Sequence, residues 1–208
     1  MRVVITSDLH GFLPEIPECD LLVIAGDVCP AYDHSLDFQH QWLLGSFRKW
    51  IDDAPAKRIV GTWGNHDLIA ENQQIFRDED PVTFLLDQAI QIDGVRIYGS
   101  PWQPRFFDWA FNLDLPELAV KFSQIPDCDI LITHCPPLWY GDSIKPGSAN
   151  LGSEALLKKI DEIQPKLCCF GHIHGGYGCY HRNNSMLVNG AHCNEHYQPV
   201  NKPILINL

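Results

Sequence analysis

The sequence predicts an α/β fold, and two of its features support this class. Short runs of consecutive apolar residues, typical of strands buried on both faces, occur at 2–7, 21–25, 58–63 and 129–133. Segments 36–51 and 152–164 instead have apolar residues at helical spacing. With 208 residues and no long linker, the chain is expected to form one domain, 1–208, with a large core.

In the first half, strand 2–7 leads through a loop with two prolines, 11–20, into strand 21–25. Pro55 lies just beyond the helical segment 36–51, where a helix is expected to stop, and strand 58–63 follows. The helical spacing is formed by five apolar residues: Leu36, Leu43, Phe47, Trp50 and Ile51.

The second half is richer in strands. Asp93-Gly94 supplies the positive φ angles of a tight turn, so 91–98 is predicted to form a hairpin. Pro116 can open a helix that runs to about residue 125. Ser153 is the expected N-cap of helix 152–164, which Pro165 ends. Strands are also expected at 166–170, 185–189 and 204–208.

Composition narrows the range of partners. The chain has 26 acidic and 15 basic residues, a formal net charge of −11, which repels nucleic acids. No segment approaches the roughly 20 apolar residues of a membrane span, and the N-terminus does not resemble a signal peptide. A cytoplasmic protein without nucleic-acid or membrane partners is therefore expected. The eight cysteines contain no CxxC pair and are predicted to be free, mostly buried thiols.

Polar residues that bind metals follow five of the predicted strands. Each motif alone is typical of an ordinary turn or a surface histidine, but five in the same setting indicate a common site. The carboxyl ends of strands in an open sheet gather ligands, and oxygen and nitrogen donors suit manganese, iron or zinc. The motifs are Asp8-Leu9-His10, Gly26-Asp27, Gly64-Asn65-His66-Asp67, His134 and Gly171-His172-Ile173-His174.

In this order the motifs resemble the signature of the calcineurin-like metallophosphoesterase superfamily, with every position filled. Segments 99–104, 108–113, 133–138 and 175–178 are similar to the subgroup of metallophosphoesterase-domain-containing proteins. The resemblance implies a four-layer α/β/β/α sandwich of two mixed β-sheets flanked by helices. Members of that subgroup can carry glycine at the first histidine of the last motif, which weakens catalysis. This chain keeps His172, so the weakened state is not expected.

The resemblance also implies two metal ions, drawn from manganese, iron and zinc, that hold a hydroxide between them for attack on phosphorus. Because His66 directly follows the predicted ligand Asn65, its ring can point into the cleft without binding metal, so we assign it as general acid for the leaving-group oxygen and expect Asp67 to orient it and keep it protonated. The implied ligands are Asp8, His10, Asp27 and His174 for one ion and Asn65, His134 and His172 for the other, with Asp27 bridging.

The expected substrate is a small phosphate ester. A phosphodiester is favoured, with cyclic nucleotides as first candidates; a phosphomonoester or phosphoprotein is the alternative, and a nucleotide-binding scaffold is the non-enzymatic hypothesis. Asn65 and His66 are expected to contact substrate, together with Trp102 and Arg105 from an aromatic segment. That segment either stacks a base or plugs the sheet edge. Segment 189–192, with Asn194 and His196, follows the strand after the last motif and can reach the cleft, but a surface role is favoured for His192 and His196.

Overall fold

The computed structural model describes residues 1–77 and 79–208. The strands are β1 (Arg2–Thr6), β2 (Cys19–Ala25), β3 (Ala56–Thr62), β4 (Val82–Phe84), β5 (Gln88–Ile92), β6 (Val95–Ser100), β7 (Gln103–Pro104), β8 (Asn112–Leu113), β9 (Ile130–Thr133), β10 (Leu167–Phe170), β11 (Gly178–Arg182), β12 (Ser185–Asn189) and β13 (Ile204–Asn207). The α-helices are α1 (Leu36–Trp42), α2 (Arg48–Asp53), α3 (Leu115–Ser123) and α4 (Glu154–Ile163).

Both large sheets are mixed. The first has the order β13-β1-β2-β3-β4, in which β1 to β4 are parallel and β13 is antiparallel to β1. The second has the order β11-β12-β10-β9-β6-β5, in which the four central strands are parallel and the two edge strands antiparallel. Strands β7 and β8 form a separate small pair.

The apolar residues form three layers, because side chains alternate across a strand. In β1, Val3 and Ile5 pack between the sheets, whereas Val4 packs on the outer face of the first sheet. That outer layer also receives Phe47 from the helical segment, and Phe122 of α3 packs in the corresponding layer on the second sheet. Helix, sheet, sheet and helix therefore stack in this order, which confirms the predicted four-layer sandwich.

The helices follow the sequence signals closely. The predicted helix 36–51 is continuous from α1 to α2 but contains a π-helical turn, Leu43–Phe47. The side chain of Ser153 accepts a hydrogen bond from the backbone N–H of Leu156 (3.2 Å), so it caps α4 as expected. Helix α3 begins with a capping box formed by Asp114 and Glu117.

Two strands of the large sheets were not predicted. Strand β4 has three residues and lies directly after Pro81, and β11 has only intermediate and exposed residues, so neither shows a buried strand pattern. All eight cysteines are free and six are buried, as predicted. Within the described ranges, no helix has both the length and the apolar character that crossing a membrane requires.

Candidate metal centre

The five polar motifs meet at one end of the two sheets. Strands β1, β2 and β3 run parallel in the first sheet, and β9 and β10 run parallel in the second. Their carboxyl ends therefore present the residues that follow them on the same side. The bridge between Ser7 and Ala191 joins the two sheets there. All seven predicted metal ligands lie in this region, as two neighbouring groups of three with Asp27 between them.

The first group contains Asp8, His10 and His174, whose potential ligand atoms lie within 4.8 Å of one another. Nε2 of His174 is 3.2 Å from a carboxylate oxygen of Asp8 and 3.2 Å from Nε2 of His10. The carboxylate of Asp8 and the ring of His10 are buried. Two imidazole nitrogens and a carboxylate oxygen thus face a common point.

The second group contains Asn65, His134 and His172. The side-chain oxygen of Asn65 is 2.9 Å from Nε2 of His134 and 2.8 Å from Nδ1 of His172. Asn65 and His134 are buried. These three side chains provide one neutral oxygen and two nitrogen donors.

Asp27 lies between the two groups. Its Oδ2 atom is 3.8 Å from Nε2 of His10 in the first group and 3.4 Å from Nε2 of His134 in the second. Its Oδ1 atom accepts a hydrogen bond from the backbone N–H of His66 (2.8 Å). One carboxylate can therefore contact ligands of both groups, which is the position of a bridging ligand.

The backbone at these positions is strained. Asp8, His10, Asp27 and His172 have φ angles of 50°, 44°, 54° and 68°, in the left-handed region that non-glycine residues seldom adopt. Such conformations cost about 1–3 kcal/mol each and cluster at functional sites. Four of the seven predicted ligands have this conformation.

Neighbouring glycine is required where the backbone approaches these ligands most closely. A Cβ atom on Gly64 would overlap the carboxylate of Asp27, and a Cβ atom on Gly171 would overlap the carboxylate of Asp8. Both glycines precede predicted ligands in the sequence. Their lack of a side chain lets strands from two sheets bring carboxylates into one small volume.

The buried carboxylates control the protonation of the neighbouring histidines. Burial alone would lower the pKa of His134 and His174, but Asp27 and Asp8 respectively outweigh it, so both rise to about 9. For His10, burial dominates and lowers its pKa to about 3. Burial and the nearby His134 similarly lower the pKa of His172 to about 3, so both rings keep free lone pairs.

Contacts beyond the ligands fix the orientation of two rings. Nδ1 of His134 lies 2.9 Å from the carbonyl oxygen of Ala25, and Nδ1 of His174 lies 2.8 Å from that of Asn194. In each case Nδ1 is directed to a carbonyl, so Nε2 is the nitrogen that would bind a metal, with displacement of the proton that the raised pKa keeps on the ring. Two buried carboxylates surrounded by such nitrogen and oxygen atoms are suited to two divalent cations, which would offset the buried negative charge.

Asp67 does not have the expected contact with His66. Its carboxylate accepts hydrogen bonds from the backbone N–H groups of Val28 (3.0 Å), Cys29 (2.9 Å) and Gly64 (2.8 Å). Asp67 therefore ties together the loops after β2 and β3, and its expected role in orienting His66 is wrong. The pKa of His66 is lowered, first by burial and against the opposing effect of Asp27, so the expectation of a protonated ring is also corrected.

A cavity of about 560 Å³ lies next to the candidate metal centre, within the usual size range for small-molecule sites. Asn65 and His66 line it, and their contact with substrate stays a prediction; Arg105 lies at its exposed edge in an ion pair with Asp114 (2.6 Å). Other lining residues are mostly apolar or aromatic: Pro104, Phe106, Phe107, Trp109, Ile144, Leu151, Ile173 and Tyr197.

Trp102 is not among the residues that line this cavity. Its indole N–H donates to Asp87 (2.8 Å), its ring packs against the apolar layers outside both sheets, and Lys121 lies over its face. The expected substrate contact of Trp102 is therefore corrected. The aromatic segment divides into two parts, because Trp102 is a structural plug whereas Phe106, Phe107 and Trp109 face the cavity.

Sequence reasoning gave no substrate role to Tyr197, Phe107 or Glu195, although all three line the cavity. Tyr197 has a φ of 55° and its ring lies 4.7 Å from that of His10, but nothing in its local sequence indicates this position. His192 is buried, against the expected surface role, whereas His196 is exposed as expected.

The sandwich and the clustered Asp, Asn and His side chains define the class of metal-dependent phosphoesterases. The chain belongs to the calcineurin-like phosphoesterase family, whose model matches residues 1–176. This family uses a dinuclear metal site, and the two groups of side chains described above correspond to candidate ligands for it.

Among similar proteins, human metallophosphoesterase domain-containing protein 1 is 34% identical over 237 aligned residues, which cover 100% of this chain and 71% of that protein. UPF0046 protein K07C11.7 of Caenorhabditis elegans is 32% identical and covers 99% of this chain and 74% of that protein. The crystal structure of TT1561 from Thermus thermophilus has the same fold, with a TM-score of 0.60 at 13% identity over 90% of this chain and 88% of that one.

Proposed function

We propose that this protein is a dinuclear-metal-dependent phosphodiesterase that acts on small phosphodiesters, with cyclic nucleotides as first candidates. The observation that carries the proposal is the position of Asp27 between two groups of metal-ligand side chains at the edge of an aromatic cavity. In this proposal Asp27 bridges the ions. Asp8, His10 and His174 complete one site, and Asn65, His134 and His172 complete the other.

Two divalent ions held there would activate a water molecule and neutralise charge on the phosphate oxygens. The protein side chains position the ester. Asn65 and His66 face both the candidate centre and the cavity, so a phosphate at the centre would have its ester group against the aromatic wall. In this arrangement the phosphorus would react at the candidate metal centre, and the cavity would contact the part of the substrate that determines specificity.

We assign His66 as the general acid. As the bond from phosphorus to the leaving oxygen breaks, the protonated form of His66 would give its proton to that oxygen. The ring then regains a proton from water. Burial lowers the pKa of His66, which makes its protonated form a stronger acid toward an alkoxide leaving group.

The charge around the cavity favours a diester over a monoester. Arg105 is the one Lys or Arg among the described lining residues, and Asp114 already neutralises it. Glu195 adds a negative charge to the wall. A diester carries one negative charge at neutral pH and a monoester nearly two, so the diester is less strongly repelled. A planar group such as a nucleobase suits contact with Phe106 and Phe107, which are 58% and 73% exposed.

The test measures the hydrolysis of a panel of phosphate esters by the manganese-loaded protein, with the Asp27→Ala variant as the inactive control. The panel contains a bis-aryl phosphate, an aryl phosphate, cyclic nucleotides and a phosphopeptide. We expect turnover of the diesters and cyclic nucleotides, and little turnover of the phosphopeptide. A preference for the monoesters would assign the protein as a phosphomonoesterase. Absence of any turnover with manganese, iron or zinc, or substoichiometric metal, would refute the enzymatic proposal.

A further inference from the structure

Among the described residues, the hydrogen-bond partner of Nδ1 of His66 is not an acid but another histidine. Nε2 of His34 lies 3.4 Å from Nδ1 of His66, a long hydrogen bond of the kind that tightens when substrate binds. The ring of Trp109 lies against the ring of His66, with centroids 4.1 Å apart, and in edge contact with His34 at 4.9 Å. His34, His66 and Trp109 therefore form a three-ring cluster.

The segment that carries His34 holds His66 at a second point. Gln39, buried in α1 five residues later, donates from Nε2 to the backbone carbonyl of His66 (2.7 Å) and accepts from the backbone N–H of Ile69 (3.0 Å). The backbone N–H of His66 is in turn bound by Asp27. The main chain of His66 is thus fixed, and rotation of its ring is the remaining freedom, which His34 and Trp109 restrict.

We infer that His34 is the positioning residue of His66 and, with Trp109, directs Nε2 of His66 into the cavity. This inference rests on the proposed general-acid role of His66. With Nδ1 bound to His34, Nε2 is the nitrogen without a hydrogen-bond partner among the described residues, and it is available to a leaving oxygen.

An imidazole is well suited to this position for two chemical reasons. It has one donor and one acceptor nitrogen, so His34 can accept from a protonated Nδ1 of His66 or donate to an unprotonated one. It can also be neutral, so it adds no third carboxylate to a centre that already contains Asp8 and Asp27. Asp67 cannot take this role, because its oxygens are bound to backbone N–H groups.

The first test compares the rates at which three variants, His34→Ala, His34→Gln and His40→Ala, hydrolyse diesters that differ only in their leaving group. Gln can donate and accept and so should restore part of the function, and exposed His40 of α1 is the matched histidine control. For His34→Ala we expect kcat on a phenyl ester to fall by about 10-fold or more, a fraction of the typical general-acid effect. On a 4-nitrophenyl ester, whose leaving group needs little protonation, we expect less than about a 3-fold loss, with unchanged KM and manganese stoichiometry.

Equal losses on both esters, or a further loss when His34→Ala is added to His66→Ala, would overturn the inference, because residues that act as a unit are not additive. A second readout needs no turnover. In metal-free protein, the ¹⁵N chemical shifts of the His66 ring report its tautomers, and we expect His34→Ala to change their populations while His40→Ala does not. An unchanged ring spectrum would refute the positioning role. If the wild type hydrolyses no ester, the proposed function fails, whereas this spectrum still decides the role of His34.

Discussion

The close packing of Gly64 against Asp27 predicts that Gly64→Ala will damage the candidate metal centre. The new Cβ atom would overlap Oδ1 of Asp27 and approach the backbone nitrogen of the same residue, so the rigid loop cannot yield without moving the carboxylate. Overpacking of this kind costs about 1–3 kcal/mol. For a domain of this size, this loss corresponds to a decrease in Tm of about 2–12 °C. Because Asp27 also binds the backbone of His66, its displacement should disturb the proposed acid as well.

Two measurements test this prediction. Thermal unfolding of the metal-free protein, followed by circular dichroism, gives the loss of stability. A manganese titration followed by calorimetry gives the change in affinity, which we expect to be about 10–100-fold, as for other residues that orient metal ligands. Gly45→Ala is the control, because outside its own helical turn no heavy atom lies within 4 Å of its Cβ position. A Gly64→Ala protein with the Tm and manganese affinity of the wild type would refute the packing argument.

Three further predictions concern metal binding at the candidate centre, the cavity wall formed by Phe106 and Phe107, and the packing of Trp102. Manganese at about 100 times its Kd should stabilise the wild type by about 2.7 kcal/mol, whereas Asp27→Ala should show a much smaller rise in Tm in the same titration. Replacing both Phe106 and Phe107 by Ala should raise KM for aryl diesters several-fold more than for dimethyl phosphate, because the lost contact is apolar. An equal rise in KM for both esters in steady-state kinetics would mean that the two phenylalanines do not contact the aryl group. Trp102→Phe should lower the free energy of unfolding by about 1.5–3 kcal/mol through the lost hydrogen bond to Asp87, without changing KM, as urea unfolding and kinetics would show.

The order of the layers and the convergence of the candidate ligands could be predicted from the sequence alone. Runs such as Val3, Val4 and Ile5 have no polar face, so they predict strands covered on both sides, and the structure places Val4 opposite its two neighbours. Candidate ligands such as Asp27 and His134 lie within two residues of the ends of parallel strands, and the geometry of parallel sheets brings these ends together.

The partners of individual side chains could not be predicted in the same way. Asp67 is adjacent to His66 in sequence, yet the backbone directs its carboxylate to N–H groups of another loop. His34 lies 32 residues before His66 and meets it only through the packing of α1 against the loop after β3. The direction of a side chain depends on backbone angles, and the local sequence contains little information about the positive φ angles at this site.

The charge distribution leads to a final prediction about phosphate recognition. The chain has an excess of acidic residues, and Arg105, the Lys or Arg found among the described lining residues, is paired with Asp114. Without cations, the protonated rings of His134 and His174 balance the buried carboxylates of Asp8 and Asp27, so little net charge attracts an anion, whereas two divalent ions would make the local field positive. We therefore expect inorganic phosphate to bind the manganese-loaded wild type in calorimetric titrations and to show no heat of binding with metal-free protein or with Asp27→Ala. Phosphate binding of equal affinity to the metal-free protein would mean that side chains alone recognise the anion, and the proposed role of the two ions in binding substrate would be wrong.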